Sequence, residues 1–242
     1  MSVAGPPQDA SRAPSGGSAA ATAASVGVHD RVAGPPQDAS HAPSGGSAAA
    51  TAASVGGYHR DLAVRARRVR LLTCDVDGVL TDGRIYIDDQ GRELKAFSAL
   101  DGVAMHRLAE AGIVVAWITG SAAPAVTHRA QQLRIPHLVV DVQDKLVPWQ
   151  RLRAELGLAP EQCAHIGDDL ADIPVLAVCG LAATVPHAPA EVRAYAHHVT
   201  ARDGGSGAVR ELADIILAAQ GHDAAAVPAP VPAAATLAPS AR

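Results

Sequence analysis

The chain has 242 residues, of which 48% are hydrophobic and only 2% aromatic, and its formal net charge at pH 7 is −4. A chain of this length forms one or two domains, and its mild negative charge argues against nucleic acid as the main partner. No apolar run reaches the roughly 18 residues that a membrane span requires, so we expect no membrane insertion.

The three cysteines, Cys74, Cys163 and Cys179, lie in apolar stretches and form no CxxC pair. This pattern is typical of reduced thiols in a protein core rather than of a disulfide framework. The N-terminal residues also lack a cationic segment followed by a leucine-rich one, so we expect no secretory signal. Together these features predict a cytoplasmic protein.

The chain begins with a duplicated segment of low complexity. Residues 3–27 recur as residues 32–56 with a single substitution. Both copies consist of small and polar residues, which provide too little apolar surface to offset the entropy of ordering. We therefore predict that residues 1–57 are disordered, that residues 58–221 form one domain, and that the Ala/Pro-rich residues 222–242 form a disordered tail.

Within the predicted domain, short apolar runs alternate with segments of helical spacing. The apolar runs predict buried strands at residues 69–74, 114–118, 137–140, 163–166 and 181–185. The helical spacing predicts helices at residues 103–111, 123–133, 145–156, 170–178 and 208–219, and an arginine-rich stretch ahead of the first strand favours a further, solvated helix face. This alternation predicts an α/β fold, namely a Rossmann-like, doubly wound parallel sheet with helices on both faces.

Residues 84–97 interrupt the alternation. Two short runs, RIYI and ELKAF, flank the polar stretch DDQGR and predict a protruding β-hairpin, which is marginal in water and has two unpaired edges. Ile85 and Ile87 share one face of the first run. Leu94 and Ala96 share one face of the second, so we expect an apolar face that is buried when hairpins of neighbouring chains pair.

Polar side chains follow the predicted strands. In chain order they are Asp75, Asp77, Thr119, Lys145, Asp168, Asp169 and Asp172. Because ligands bind beyond the carboxyl ends of parallel strands, we expect these side chains around one pocket. Clustered carboxylates repel one another, and a divalent cation removes this conflict. An all-oxygen ligand set without His or Cys selects a hard ion such as Mg²⁺.

This set contains the parts that phosphoryl transfer uses. A carboxylate can attack phosphorus and form an aspartyl-phosphate, while metal and lysine stabilise the charge on the phosphoryl oxygens. A second carboxylate can protonate the leaving alcohol and later activate water. Gly78 permits a sharp turn, and backbone N–H groups near Thr119 and Gly120 can hold phosphate. Each segment alone is also typical of a cap, a turn or a surface lysine, but their order on successive βα units favours a site.

The segments DVDGVLTDG, ITG, DK and GDDLADIPV resemble the four motifs of the haloacid dehalogenase superfamily. The longer segments DVDGVLTDGRIYIDDQGRELKAFSALDG and GGSGAVRE are similar to its capless branch, and the resemblance covers nearly all of the predicted domain. The roles that it implies are nucleophile for Asp75, acid and base for Asp77, magnesium ligation by Asp75, Asp77 (through its carbonyl) and Asp168, phosphate binding by Thr119, Gly120 and Lys145, and indirect support of the metal by Asp172.

The resemblance also implies a substrate and an assembly. The substrate would be a phosphorylated sugar acid, with 3-deoxy-D-manno-octulosonate 8-phosphate, a lipopolysaccharide core precursor, as the leading candidate and a nonulosonate 9-phosphate as an alternative. The assembly would be a homotetramer joined through the hairpins. Ser121 departs from the family pattern, in which an arginine usually follows TG, and serine cannot bind an anion bidentately. A second departure, Leu133-Arg134-Ile135 in place of LGI, we interpret as a surface change.

Other classes of function share parts of this pattern. A signalling receiver domain also combines an acidic metal site, a lysine and a phosphorylated aspartate, but that aspartate follows a middle strand, where Val140-Asp141 is only a weak match. A non-catalytic oligomerisation domain of the same fold is a second alternative, although this chain retains all four motifs. A cysteine phosphatase built on Cys74 would need an arginine six residues later, where the chain has Leu80. The phosphatase is the function that we expect.

Overall fold

The structure of the protein, a computed structural model, describes residues 60–222. The segment 1–57, for which we predict disorder, lies outside the described residues. So does all but the first residue of the tail at 222–242, and both assignments stay predictions. Among the described residues, no helix combines the length and the apolar character needed to cross a membrane.

Strands and helices alternate along residues 60–222. In chain order the strands are β1 (Leu71–Cys74), β2 (Tyr86–Ile87), β3 (Glu93–Leu94), β4 (Val114–Ile118), β5 (His137–Val139), β6 (Cys163–Ile166), β7 (Leu181–Thr184) and β8 (His198–Val199). The helices are α1 (60–68), α2 (Ala99–Glu110), α3 (Pro124–Gln132), α4 (Leu146–Glu155), α5 (Ile173–Leu176), α6 (Ala190–Arg193) and α7 (Ala208–Ala219), with 3-10 turns at Pro160–Gln162 and Leu170–Asp172.

The central sheet is parallel and has six strands in the order β5-β4-β1-β6-β7-β8. In its centre, Cys74 of β1 pairs in register with Trp117 of β4 and Ile166 of β6. Because parallel crossovers are right-handed, α2 and α3 lie on one face and α4, α5 and α6 on the other. Helix α7 packs against α2. Strands β1, β6 and β7 are buried along their whole length, as expected for a sheet covered on both faces, and the predicted doubly wound fold is confirmed.

Five strands of this sheet and helices α3, α4 and α7 match their predicted bounds within two residues. Helix α2 begins before its predicted start at Val103 because Ser98 caps it, its Oγ accepting a hydrogen bond from the N–H of Leu100. The predicted helix at residues 170–178 is instead a 3-10 turn followed by α5, because Pro174 has no N–H to donate in a continuous helix. The short elements α6 and β8 lack a periodic pattern, and the sequence does not predict them.

Four helices end in the same left-handed capping motif. After α2, α4 and α7 the residue with positive φ is a glycine, namely Gly112, Gly157 and Gly221. After α3 it is Arg134, with a φ of 54°. The N–H groups of Arg134 and Ile135 donate to the carbonyls of Gln131 and Ala130 at 3.0 and 2.9 Å, which is the Schellman pattern. Arg134 is exposed, but its backbone adopts a left-handed conformation that is strained for arginine and not for glycine.

Replacing Arg134 with glycine should stabilise the protein by about 0.5–1 kcal/mol. A left-handed backbone costs a residue with a Cβ about 1–2 kcal/mol, and the greater freedom of glycine in the unfolded chain offsets part of this gain. Urea denaturation of the two proteins measures the difference. Gly157→Ala, at the equivalent position after α4, is the matched control and should destabilise the protein. A lower stability of Arg134→Gly would show that the backbone of Arg134 is not strained.

The β2–β3 hairpin forms a separate two-stranded antiparallel sheet in which Tyr86 pairs with Leu94 and Ile87 with Glu93. This register corrects the prediction of a single apolar face. Leu94 lies on the same face as Tyr86, whereas Ile85 and Ile87 lie on the face of Glu93. The exposed fractions are 73% for Ile85, 66% for Ile87 and 56% for Leu94, so both faces carry exposed apolar side chains.

Candidate active site

The loops that follow β1, β4, β5 and β6 meet at the carboxyl edge of the sheet, where ligands bind in this class of fold. They line a cavity of about 490 Å³, to which the hairpin also contributes. The predicted site residues that line it are Asp75, Asp77, Thr119, Gly120, Lys145 and Asp168. Asp172 is fully buried and contacts Lys145. The structure thus brings the whole predicted set together.

Asp75 extends β1 by one residue, since its N–H donates to the carbonyl of Ile166 on β6 at 3.0 Å. The residue is only 6% exposed, and its Oδ1 lies 2.9 Å from Nζ of Lys145. Burial and the charge of Asp172 raise the pKa of Asp75 to about 6, although Lys145 opposes the rise. The sheet therefore fixes the carboxylate of Asp75 at the cavity, beside the ammonium group of Lys145.

Lys145 lies between two carboxylates at the start of α4. Its Nζ is 2.9 Å from Oδ1 of Asp75 and 2.8 Å from Oδ1 of Asp172, and the residue is buried. Burial lowers the pKa of Lys145, but the two carboxylates outweigh this effect and hold it above its ordinary value. Lys145 thus stays charged, and it is placed to neutralise an anionic oxygen next to Asp75.

Asp168 approaches the loop after β1 at a point where only glycine fits. Gly78 has a φ of 85°, and a Cβ on it would lie 1.9 Å from Oδ2 of Asp168. Burial and the charges of Asp75 and Asp172 raise the pKa of Asp168 to about 8. Its Oδ1 is buried without a hydrogen-bond partner among residues 60–222. Such an orphaned oxygen is costly unless a cation or a proton satisfies it.

The carboxylates form a cluster that fits a divalent cation. One carboxylate oxygen from each of Asp75, Asp168 and Asp172 lies within 4.8 Å of the other two. Lys145 is the ammonium group that contacts this cluster, so three carboxylates against one lysine leave excess negative charge. A hard ion with oxygen ligands balances that charge and satisfies the free oxygen of Asp168, and Mg²⁺ suits this donor set.

The carboxylate of Asp172 is saturated by hydrogen-bond donors. Its Oδ1 accepts from Nζ of Lys145 at 2.8 Å and from Nε2 of His165 at 2.9 Å, and its Oδ2 accepts from the N–H of Asp169 at 3.3 Å. Burial raises the pKa of Asp172, but the hydrogen bond from His165 and the charge of Lys145 hold it below its ordinary value. Because its oxygens are already engaged, Asp172 fits a supporting role better than direct metal ligation.

Asp77 is bound to the hairpin rather than to the other carboxylates. Its Oδ1 accepts a hydrogen bond from Nζ of Lys95 at 2.5 Å, and the same ammonium donates to Oε1 of Glu93 at 2.6 Å. The Lys95 side chain is 3% exposed. Sequence reasoning missed Lys95 and Glu93, although the alternation in ELKAF places both on one face of the hairpin. Only the position of the hairpin over the sheet edge shows that this face meets Asp77.

Thr119 and Gly120 form the turn after β4. The N–H of Thr119 donates to the carbonyl of Val139, and its carbonyl accepts from the N–H of Val142, so the turn is tied to the loop after β5. Its Oγ1 accepts from the N–H of Ser121 at 3.1 Å, which leaves the hydroxyl hydrogen free to donate. Ser121 also lines the cavity. The position after TG therefore faces the site but carries a neutral hydroxyl.

The GGSG segment ahead of α7 packs against the loop after β1. A Cβ on Gly204 would lie 1.8 Å from the carbonyl oxygen of Gly78, and the N–H of Gly205 donates to the carbonyl of Val79 at 3.0 Å. These contacts support the loop that carries Asp75 and Asp77, although the GGSG segment is far from that loop in the chain. The sequence analysis used this segment only for the family resemblance and did not connect it with the site.

Comparison with known proteins identifies the family of this chain. Residues 137–212 match the haloacid dehalogenase-like hydrolase family. The 3-deoxy-D-manno-octulosonate 8-phosphate phosphatase of Yersinia pestis is 49% identical over 160 residues, which cover 66% of this chain and 86% of that protein. The phosphatase of the same name from Escherichia coli (strain K12) is 44% identical over 161 residues, with 66% and 86% covered.

A solved structure with the same fold contains ligands. The crystal structure of 3-deoxy-D-manno-octulosonate 8-phosphate phosphatase from Moraxella catarrhalis, in complex with a magnesium ion, a phosphate ion and KDO, has a TM-score of 0.66 at 38% identity. The match covers 67% of this chain and 93% of that one. The present chain therefore belongs to the haloacid dehalogenase-like hydrolases, in the group that contains these phosphatases, and is a phosphoric monoester hydrolase.

Proposed function

We propose that this chain is a Mg²⁺-dependent cytoplasmic phosphatase that hydrolyses the phosphate monoester of a sugar acid through an aspartyl-phosphate. The observation that carries the proposal is the contact of Asp75 with Lys145, next to the orphaned buried oxygen of Asp168. A carboxylate nucleophile, a fixed ammonium group and a cation site together support phosphoryl transfer through the enzyme.

Asp75 is the proposed nucleophile. Its pKa of about 6 leaves it largely ionised at neutral pH, so an oxygen of the carboxylate can attack phosphorus as the bond from phosphorus to the sugar oxygen breaks. Lys145, 2.9 Å away, can neutralise the oxygens of the transferred phosphoryl group. The hydroxyl of Thr119 and the turn at Gly120 provide further donors to the phosphate.

Asp77 is the proposed acid and base. It gives a proton to the leaving sugar oxygen in the first step and takes one from the attacking water in the second, when the bond between Asp75 and phosphorus breaks. Lys95 holds the Asp77 carboxylate toward the hairpin before substrate binds. For proton transfer the carboxylate must turn from Lys95 toward the substrate.

Asp75, Asp168 and the backbone carbonyl of Asp77 are the groups that would hold Mg²⁺, with Asp172 supporting them through Lys145. When bound, the ion supplies positive charge that offsets the charge of the phosphoryl oxygens. The protein itself places the oxygens of Asp75, Asp77 and Asp168 together at the ends of the adjacent strands β1 and β6, and it holds Lys145 in contact with Asp75. Glycine at position 78 allows these oxygens to come together, because Asp168 would collide with any larger residue there.

The leading substrate is 3-deoxy-D-manno-octulosonate 8-phosphate, which supplies the sugar acid of the lipopolysaccharide core. The names of the Yersinia pestis and Escherichia coli relatives support it. Phosphate release from a panel containing this ester, a nonulosonate 9-phosphate and a hexose 6-phosphate tests the proposal. We expect the highest kcat/KM for the 8-phosphate, and a clear preference for the neutral hexose ester would refute the sugar-acid assignment.

We further propose that the protein is a homotetramer assembled through the hairpins. The exposed Tyr86 and Leu94 on one hairpin face, and Ile87 on the other, leave apolar area that a second copy would cover. Leu94→Lys should therefore dissociate the assembly, because a charge on that face cannot be buried unpaired. Light scattering coupled to size exclusion measures the mass in solution.

Val64→Lys is the control for this experiment, since Val64 is also an exposed apolar residue but belongs to α1 and not to the hairpin. It should leave the mass unchanged. A wild-type protein that is monomeric and fully active at assay concentration would rule the tetramer out.

A further inference from the structure

We propose that His165 is a positioning residue, which holds Asp172 in the orientation that fixes Lys145 beside the nucleophile. This inference rests on the proposed function, because the position of Lys145 matters only if phosphoryl transfer passes through Asp75. No sequence motif marks His165. It lies on β6, two residues before Gly167, within an otherwise apolar strand.

Packing alone does not account for a histidine at this position. His165 is fully buried, and the other residues of β6 are the apolar Cys163, Ala164 and Ile166. Its Nδ1 lies 2.8 Å from Oγ1 of Thr73 on β1, and its Nε2 lies 2.9 Å from Oδ1 of Asp172. An aliphatic side chain would fill the space without the cost of desolvating two ring nitrogens. Both nitrogens instead have polar partners.

The direction of the hydrogen bond to Asp172 follows from the neighbouring lysine. Asp172 pairs with the ammonium of Lys145 at 2.8 Å and is therefore present as a carboxylate, which only accepts hydrogen bonds. Nε2 of His165 must then be the donor. With Thr73 at the other end of the ring, the imidazole is clamped between β1 and the 3-10 turn that carries Asp172.

The hydrogen bonds continue from this clamp to the nucleophile. Oδ1 of Asp172 accepts from both His165 and Lys145, and Lys145 in turn contacts Asp75 at 2.9 Å. Without His165, Asp172 loses the donor that opposes the pull of Lys145 on the same oxygen. Carboxylate and lysine would then shift toward each other, and the contact of Lys145 with Asp75 would weaken.

Two substitutions separate this role from packing. His165→Phe keeps a planar ring but removes both polar contacts, whereas the amide of His165→Gln can still donate to Asp172. We expect His165→Phe to lower kcat by about 10–100-fold, the usual effect of losing an outer partner of a metal or catalytic group. Its affinity for inorganic phosphate in the presence of Mg²⁺, measured by isothermal titration calorimetry, should fall about tenfold, because Lys145 is displaced. His165→Gln should recover most of both losses.

Cys163→Ala is the control for packing, since Cys163 lies on the same side of β6 and is equally buried. It should lower the thermal stability and leave kcat and phosphate affinity unchanged. If His165→Phe does not fold, His165→Gln and His165→Asn decide the question, because the shorter amide of asparagine can reach Thr73 but not Asp172. Impairment of the asparagine variant alone supports the proposal.

The positioning role of His165 would be overturned if His165→Phe and His165→Gln were equally impaired. It would also be overturned if His165→Gln and His165→Asn were equally impaired. A His165→Phe protein with unaltered kcat and phosphate affinity would overturn it as well. Asp75→Asn, assayed alongside, distinguishes a failure of the proposed function from a failure of the role of His165. An active Asp75→Asn refutes the proposed function and the inference with it, whereas an inactive Asp75→Asn with a normal His165→Phe refutes the role of His165 alone.

Discussion

Replacing Asp75 by asparagine should lower turnover about 10⁴-fold or more, because an amide lacks the charge with which a carboxylate attacks phosphorus. The substitution should not unfold the protein. Burial and the charge of Asp172 raise the pKa of Asp75 to about 6, so the folded state disfavours the charged form and a neutral amide relieves that cost. We therefore expect an equal or higher Tm together with the loss of phosphate release in a steady-state assay.

Asp77→Asn should behave differently from Asp75→Asn. It retains the nucleophile and lacks the acid and base, so some aspartyl-phosphate should form but release phosphate slowly, with turnover about 10²–10⁴-fold lower. Rapid acid quenching after mixing with labelled substrate measures the protein-bound phosphate. We expect label on Asp77→Asn and none on Asp75→Asn.

Asp141→Asn is the matched control for both variants. Asp141 follows β5 with a φ of 57°, a backbone that asparagine also tolerates. It is also the residue at which a receiver domain would accept phosphate. Full activity of Asp141→Asn beside an inactive Asp75→Asn excludes the receiver alternative, and wild-type rates in both site variants would show that the site is wrongly assigned.

Chelation of Mg²⁺ should abolish turnover and also destabilise the protein, by an amount that grows between about pH 5 and pH 8. Restoring Mg²⁺ at about a hundred times its dissociation constant should raise the free energy of unfolding by about 2.7 kcal/mol. The physical reason is the cluster of Asp75, Asp168 and Asp172, whose repulsion only protons or a cation can relieve.

The direction of the pH effect follows from the protons that the folded state binds. Without metal, the pKa of Asp75 is raised to about 6 and that of Asp168 to about 8, both from 3.8. The folded state therefore keeps protons that the unfolded state has already released, and stability falls as the pH rises through this range. Asp172, whose pKa is lowered, acts in the opposite sense, but only below about pH 4. Mg²⁺ takes the place of the protons, so it stabilises most at high pH.

Thermal denaturation at several pH values, in EDTA and in excess Mg²⁺, measures this effect. Asp101→Asn is the control, because Asp101 is buried on α2, accepts a hydrogen bond from the N–H of Arg210, and has a pKa raised by burial to about 6. It lies outside the metal cluster and should change the pH dependence equally with and without Mg²⁺. Metal-free stability that increases from pH 5 to 8 would contradict the cluster, and full turnover in excess EDTA would refute the metal requirement.

The positions of the main strands and the members of the site follow from local sequence. Strand β4 is a continuous apolar run, and β1 and β6 are apolar except for Thr73 and His165, which is how strands of a buried parallel sheet appear in a sequence. Each run ends in polar residues, and a parallel sheet places all of its carboxyl ends at one edge. That rule alone brings Asp75 next to Lys145 and Asp168, although they are far apart in the chain.

The hydrogen-bond partners of the site residues come from other segments of the chain, and no local sequence pattern identifies them. The roles of His165 and Lys95 arise from contacts with Asp172 and Asp77, set by strand register and by where the hairpin lies. Register also decides which apolar residues share a hairpin face, and here it places Leu94 with Tyr86. The alternation of side chains along one strand is a local property of the sequence. The neighbour of a side chain on another strand or loop is fixed only when distant segments pack closely together.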